Sequence, residues 1–502
     1  NLRDENTPNS IEKLYSILME EKCEDLSATM PFMFKKKGTY SDILFPIGLL
    51  MENSLLVRLR KEIGEEAPIE LIGWLYQFYN SEKKDEIFAK KEKITKENVP
   101  AVTQLFTPDW IVKYMVENSL GKLALESTGI NDNLKNNWKY YIDLENEENL
   151  EKIKIEDIKI LDPAMGSGHI LVYAFDLLFE MYENLGWSTK ETVLSILKNN
   201  LYGLEIDERA GQLASFALIM KAREKFSRLF SVLKREEDFK LNTLIIEESN
   251  SLSERIKSKI KANNLNNLNR IIENFEVAKE YGSILKLESI DKEILEREFN
   301  LLKESFNNNE QETLIFNGDE MNLDINEELE LIESLIKQHI ALTNQYEIVV
   351  TNPPYMGGKG FSPELKTYVE KNYKDSKSDL FAVFIERCNE FTKKNYYTSM
   401  ITMQSWMFLS QYKILRKNII EKTEIKSLNH LGTRAFSEIG GEVVSTVAWI
   451  SKKISPKNEG TYIRLVDYKN AELKEQEFSD KDNYFQAKQK DFEKIPGSPI
   501  AY

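Results

Sequence analysis

Four consecutive residues, Asn352-Pro353-Pro354-Tyr355, carry the clearest chemical signal in the chain. Asn352 offers a side-chain acceptor, and Pro353 offers a carbonyl on a residue with no N–H of its own. Two acceptors on a stiff turn beside an aromatic ring suit a planar heterocycle with an exocyclic amino group. The acceptors would take its two N–H bonds, Tyr355 would stack on its face, and Pro354 would stiffen the turn. The nitrogen lone pair is then aimed at an electrophile. Immediately upstream, Ile348 to Val350 reads as a buried strand that the prolines bring to an end.

Other strand ends offer complementary groups. Lys159-Ile160-Leu161-Asp162 is a short strand, followed by Pro163-Ala164-Met165-Gly166-Ser167-Gly168-His169 and an apolar helix from Ile170 to Tyr182. Gly166 and Gly168 permit unusual backbone angles and close approach of a ligand. The helix start behind them favours a carboxylate or phosphate. Asp162 would repel a pyrophosphate but would hold the amino group of an amino-acid-like ligand. Glu205 follows the strand Leu201–Leu204, where a carboxylate can bind ribose hydroxyls. Asp319 follows Thr313–Phe316, where it could accept from an adenine amino group. S-adenosylmethionine carries all of these parts. One such acid is an ordinary solvated strand terminus; a series of them ending in Asn352 is not. Upstream, Thr107 and Pro108 read as the N-cap and first residue of a helix, whose free donors suit an anion. His169 reads as a helix-terminal residue without a catalytic role.

The elements that must position these residues alternate as short strands and helices from 159 to about 455, the pattern of a Rossmann-like α/β sheet. In such a sheet ligands lie across the carboxyl ends of the strands. Residues 1–98 read as a helical N-terminal domain and 99–455 as the domain bearing the site, with 208–310 a helical excursion. Residues 456–502 read as a linker toward a C-terminal target-recognition region. With 41% hydrophobic and 30% charged residues, the 502-residue chain fits a soluble globular protein. Its net charge of −15 argues against nucleic acid, yet residues 351–460 hold 17 Lys and Arg against 11 Asp and Glu. Two cysteines and three histidines, all scattered, exclude a disulfide framework and a zinc cluster and point to a reducing compartment. No apolar run reaches the roughly 18 residues of a membrane span, and no signal peptide is visible. The expectation is a cytoplasmic protein with neither membrane nor metal.

Taken in order, Asp162–Gly168, Glu205, Asp319 and Asn352–Tyr355, with Thr107-Pro108 upstream, resemble the gamma-class amino-methyltransferases that make N6-methyladenine in DNA. The string Asp-Pro-Ala-Met-Gly-Ser-Gly-His-Ile-Leu at 162–171 and the ending Ile-Pro-Gly-Ser-Pro-Ile-Ala-Tyr resemble more closely the PglX group of BREX phage-defence systems. Large type IIG restriction-modification enzymes are similar too. The motifs cover residues 103–450. The resemblance implies that Thr107 touches the methionine carboxylate of S-adenosylmethionine, and that Asp162, Ala164, Gly166, Gly168, Glu205 and Asp319 surround the rest. It implies that Phe384, within Leu380–Ile385, packs on the cofactor adenine. A flipped-out adenine would lie between Tyr355 and Phe436. The implied partners are double-stranded DNA and other proteins of the defence system.

Two departures bear on that likeness. Gly166 and Glu205 lie 39 residues apart, where about 20 is common for such an acid; a helical segment at 188–198 would account for the difference. Relatives of this size also carry a target-recognition domain, which this chain is expected to stop short of. Two other readings stay open on the sequence. One is methylation of RNA or of a protein glutamine, which can use the same strand end. The other is a cofactor-binding scaffold without activity.

Overall fold

The computed structural model describes residues 8–34, 48–63, 71–80 apart from 72, 74 and 77, 106–143, 151–236, 239–307, 325–436 and 444–502. Among them, nine strands form one mixed sheet in the order β3-β2-β1-β4-β5-β7-β6-β8-β9. The first five are β1 (Ile160–Asp162), β2 (Leu201–Glu205), β3 (Asn242–Ile245), β4 (Tyr346–Thr351) and β5 (Thr392–Met403). They run parallel to one another. β7 (Thr446–Lys452) is antiparallel to both β5 and β6 (Glu424–Gly432). β8 (Glu459–Arg464) lies parallel to β6, and β9 (Tyr484–Lys488) closes the order antiparallel to β8.

Both faces of the sheet are covered, which is why its central strands are near-continuous apolar runs. Every residue of β4 is buried. Side chains alternate between faces along a strand. Ile348 and Val350 therefore join one core with the helices Asp109–Val116, His169–Asn184 and Glu208–Lys225. Val349 joins the other, with the helices Ile325–Thr343 and Leu380–Phe391. Asp207 caps the helix Glu208–Lys225 by accepting from the N–H groups of Arg209 and Ala210. Within 188–198, a Ser188/Glu191 capping box starts the helix Thr189–Ser195, and this helix lies within the long Gly166–Glu205 interval.

Two local expectations differ from the structure, and a third is refined. The segment 208–310 is mostly helical as expected, but β3 lies within it and pairs with β2 at the sheet edge. All four β3 residues are only half-buried, so the apolar signal is faint. Residues 456–502 are not a linker: β8 and β9 extend the same sheet, and Tyr462 and Ile463 are fully buried. A short apolar run inside a charged stretch was enough to make a strand once β6 offered an edge. Thr107 is not a helix cap; the helix begins at Asp109 with Pro108 in the cap position. Of residues 1–98, the helices Pro8–Ser27 and Leu55–Ile63 are described, with further helical residues around Tyr76. No described helix is long and apolar enough to cross a membrane.

Candidate active site

Because β1, β2 and β4 are parallel, Asp162, Glu205 and Asn352 emerge on one edge of the sheet. They line a single crevice of about 1360 Å³, counted to its open mouth. Asp162 is 1% exposed. Its Oδ1 accepts from the Thr351 hydroxyl at 2.7 Å and from the Ala164 N–H at 3.1 Å. Its Oδ2 is buried with no partner. Burial pushes this carboxyl up to about 7, against the two donors that lower it. An unmet buried acceptor costs about 1–3 kcal/mol, so this oxygen is suited to a cationic donor brought by a ligand.

Glu205 differs. Its Oε1 accepts from the N–H groups of Ile206 and Asp207, both at 2.9 Å, and its Oε2 from Gly166 at 2.8 Å. A carboxylate has about four acceptor positions, so one remains on Oε2 for a ligand hydroxyl. Burial again dominates and raises its pKa to about 7. The Gly166 bond also ties the end of β2 to the glycine turn. Gly166 (φ +54) faces open crevice, where a Cβ would meet nothing within 4 Å. Gly168 (φ +84) does not line the crevice. A Cβ there would lie 2.8 Å from the Ala214 Cβ, so its small size serves close packing of the turn on the helix Glu208–Lys225.

The amide of Asn352 is held through its Nδ2, which donates to the Thr107 hydroxyl at 3.1 Å. That bond orients the side chain so that Oδ1 is the atom turned away from Thr107. Pro354 lines the crevice with Asn352, and Phe384, 5% exposed, forms part of the wall from the helix Leu380–Phe391. Ala164 lines it too. Pro353 and Tyr355 are not on that wall. The Tyr355 hydroxyl donates to the Ile401 carbonyl at 3.1 Å, and its half-buried ring meets Phe381 edge-on at 6.3 Å. Phe436 is 5% exposed and packs in the core on the opposite face of the sheet. A Tyr355–Phe436 sandwich is therefore not assembled in this structure. Asp319 lies outside the described residues.

Two walls of the crevice gave no sign in the sequence. The excursion after β3 contributes Tyr281, Gly282, Ser283 and Ile284. The Ser283 hydroxyl donates to the Pro163 carbonyl, and the buried Arg387 guanidinium donates to the carbonyls of Ser283, Leu285 and Leu342. The N-terminal region contributes Gly73 and Tyr76. Tyr76 donates to Asp207 Oδ2 at 2.7 Å, and a Cβ on Gly73 would sit 2.6 Å from the Ser167 hydroxyl oxygen. The described residues hold no group of three or more His, Cys, Asp or Glu placed to bind a metal.

A parallel sheet of order 3-2-1-4-5 continued by a reversed β7 and then β6, with acids at the ends of β1 and β2 and this turn after β4, defines the class I methyltransferase fold. Residues 199–436 match the Eco57I restriction-modification methylase family. The "Adenine-specific methyltransferase PglX" of Lacticaseibacillus casei (strain Zhang) is 39% identical over 99% of this chain and 42% of its own length. The "Adenine-specific methyltransferase BrxX" of Escherichia coli O9:H4 (strain HS) is 37% identical over 98% of this chain and 42% of its own. Over nearly its whole length the chain is thus similar to proteins named adenine-specific methyltransferases. It spans less than half the length of these relatives. Among solved structures, that titled "cryoEM structure DrdV-DNA complex" is 11% identical, with a TM-score of 0.46 over 94% of this chain and 39% of its own.

Proposed function

We propose that this chain carries the catalytic region of a DNA methyltransferase that moves a methyl group from S-adenosylmethionine to N6 of an extruded adenine. By the same likeness, it would mark host DNA within a BREX-type phage-defence system. The observation that carries the reading is the Asn352–Thr107 hydrogen bond, which joins the amine-binding turn directly to the crevice suited to the cofactor. The residues fit that cofactor at several points. Asp162 Oδ2 is an unmet acceptor for its ammonium, Glu205 keeps one position for a ribose hydroxyl, and Phe384 and Ile206 give apolar wall for a purine. When bound, the cofactor supplies an electrophilic methyl on a sulfonium.

The target adenine must leave the duplex, at a cost of a few kcal/mol. Asn352 Oδ1 and the Pro353 carbonyl then accept from its amino group and direct the nitrogen lone pair at the methyl. Tyr355 offers the face of a ring whose hydroxyl is anchored on β5. Neither acceptor has to remove a proton before transfer. As the N–C bond forms the S–C bond breaks to leave the thioether, and the amine proton then passes to solvent. The rate therefore comes from positioning and fixed dipoles. Phe436 supports the core beneath this region instead of touching the base.

The test is a tritiated-methyl assay run in parallel on DNA, RNA and protein, paired with sequencing of host DNA for N6-methyladenine with the full-length gene on and off. Label in DNA and gene-dependent N6-methyladenine are expected. Label confined to RNA or protein, or none with cofactor bound, would overturn the DNA reading in favour of another acceptor or an inactive scaffold.

A further inference from the structure

The crevice is lined by a polar side chain with no hydrogen-bond partner that the proposed chemistry does not use. His169 opens the helix His169–Asn184, directly after left-handed Gly168, and lines the crevice. Both of its ring nitrogens are buried without a hydrogen-bond partner. The ring lies against Phe106, centroid to centroid 4.2 Å, which places it beside Thr107 in the chain. The Thr107 hydroxyl accepts from Asn352 and so keeps its own proton to donate. In the same crevice, Asp162 Oδ2 is an unmet acceptor on a residue 1% exposed. An unmet donor and an unmet acceptor in one crevice match the two charges of an α-amino acid. His339 also has unpartnered ring nitrogens, but it is fully buried and does not line the crevice.

Resting on the proposed use of S-adenosylmethionine, we propose that His169 is a further cofactor-binding residue whose ring N–H donates to the carboxylate of the methionine moiety, opposite the ammonium held by Asp162. Burial holds the imidazole at a pKa of about 4, so it is neutral near pH 7 and has one proton to give. It thereby completes, with Thr107 and the start of the helix, a donor set for that carboxylate.

Calorimetric binding of S-adenosylhomocysteine and of 5′-methylthioadenosine, which lacks the amino-acid end, tests this on wild type, His169→Phe and His169→Gln. A hydrogen bond to a charged group implies that His169→Phe weakens S-adenosylhomocysteine about 10- to 100-fold. 5′-Methylthioadenosine should bind as in wild type, and His169→Gln should recover part of the loss. Equal weakening of both ligands, or no weakening of either, overturns the assignment. Should wild type bind neither ligand, the cofactor reading itself falls. Should wild type bind both and His169→Phe be silent, only the role of His169 falls.

Discussion

Replacing Asp162 with asparagine tests the amino-acid end of the crevice from the opposite charge. The variant keeps the shape and the acceptor for Thr351 and Ala164, which reach Oδ1 in wild type. It loses the negative charge behind Oδ2. A hydrogen bond between charged partners is worth about 1.5–3 kcal/mol, so S-adenosylhomocysteine should bind roughly 10- to 150-fold more weakly. The pH dependence is more diagnostic. Without ligand, Asp162 titrates near 7 because it is buried. A bound ammonium favours its ionised form, so affinity should fall toward tenfold for each pH unit below about 7. It should fall again above about pH 8, as the ligand amine loses its proton. Asp162→Asn should lose the Asp162 share of the acid limb and retain only what Glu205 contributes. Titration calorimetry from pH 5.5 to 8.5 reads both quantities. Wild-type affinity in the variant at pH 7.5, or an unchanged acid limb, would refute the assignment of Oδ2 to the ammonium.

Other outcomes follow from the same geometry. Asn352→Ala should lower methyl transfer to DNA by about 10²- to 10³-fold, as for loss of one preorganised polar group, while S-adenosylhomocysteine binding stays within a few-fold by calorimetry. Gly168→Ala forces a side chain into a left-handed φ and against Ala214; chemical denaturation should show a loss of about 2–5 kcal/mol. Tyr355→Phe removes the bond to Ile401 and should cost about 1 kcal/mol of stability with transfer largely retained, whereas Tyr355→Ala should lose transfer. Asp162 and Glu205 both hold their protons more tightly folded than unfolded. Their stabilising contribution is therefore complete below about pH 4 and is lost as pH rises through about 7, at roughly 1.4 kcal/mol per unit for each. Ligand-free melting temperature should fall over that window, and Asp162→Asn should fall less.

The parts of the site legible in the sequence are those written locally. An apolar run ending in an acid, as at Leu161-Asp162 and Leu204-Glu205, announces both a strand and the group at its end. The turn after β4 is equally local, since two prolines and an amide follow one buried strand. What could not be read depends on contacts across long stretches of chain. Thr107 meets Asn352 across 245 residues, and Tyr76 meets Asp207 across 131. No periodicity encodes such pairs. The wall formed by Tyr281 to Ile284 sits in a charged helical region, and its anchor, Arg387, is remote in the chain. Gly168 illustrates a different limit. Glycine at a turn signals close approach, but only the fold shows that what approaches is the Ala214 side chain instead of a ligand. Phe436 is similar: an aromatic residue before a strand can face a base or a core, and here it joins the core.

The bond between the Asn352 amide and Thr107 has a consequence for when the proposed reaction would stop. With one Nδ2 hydrogen given to Thr107, the proposed base site would meet the incoming amine with two oxygens, the Asn352 carbonyl and that of Pro353. A purine bearing an oxo group at position 6 would set like dipole against like dipole and be turned away. Once one methyl has been added, the amine has a single hydrogen left for two acceptors, so the finished base is held less well than the fresh one. On the proposed function such a site would make the mono-methylated mark and release it, and mass spectrometry of digested DNA should find no dimethyladenine.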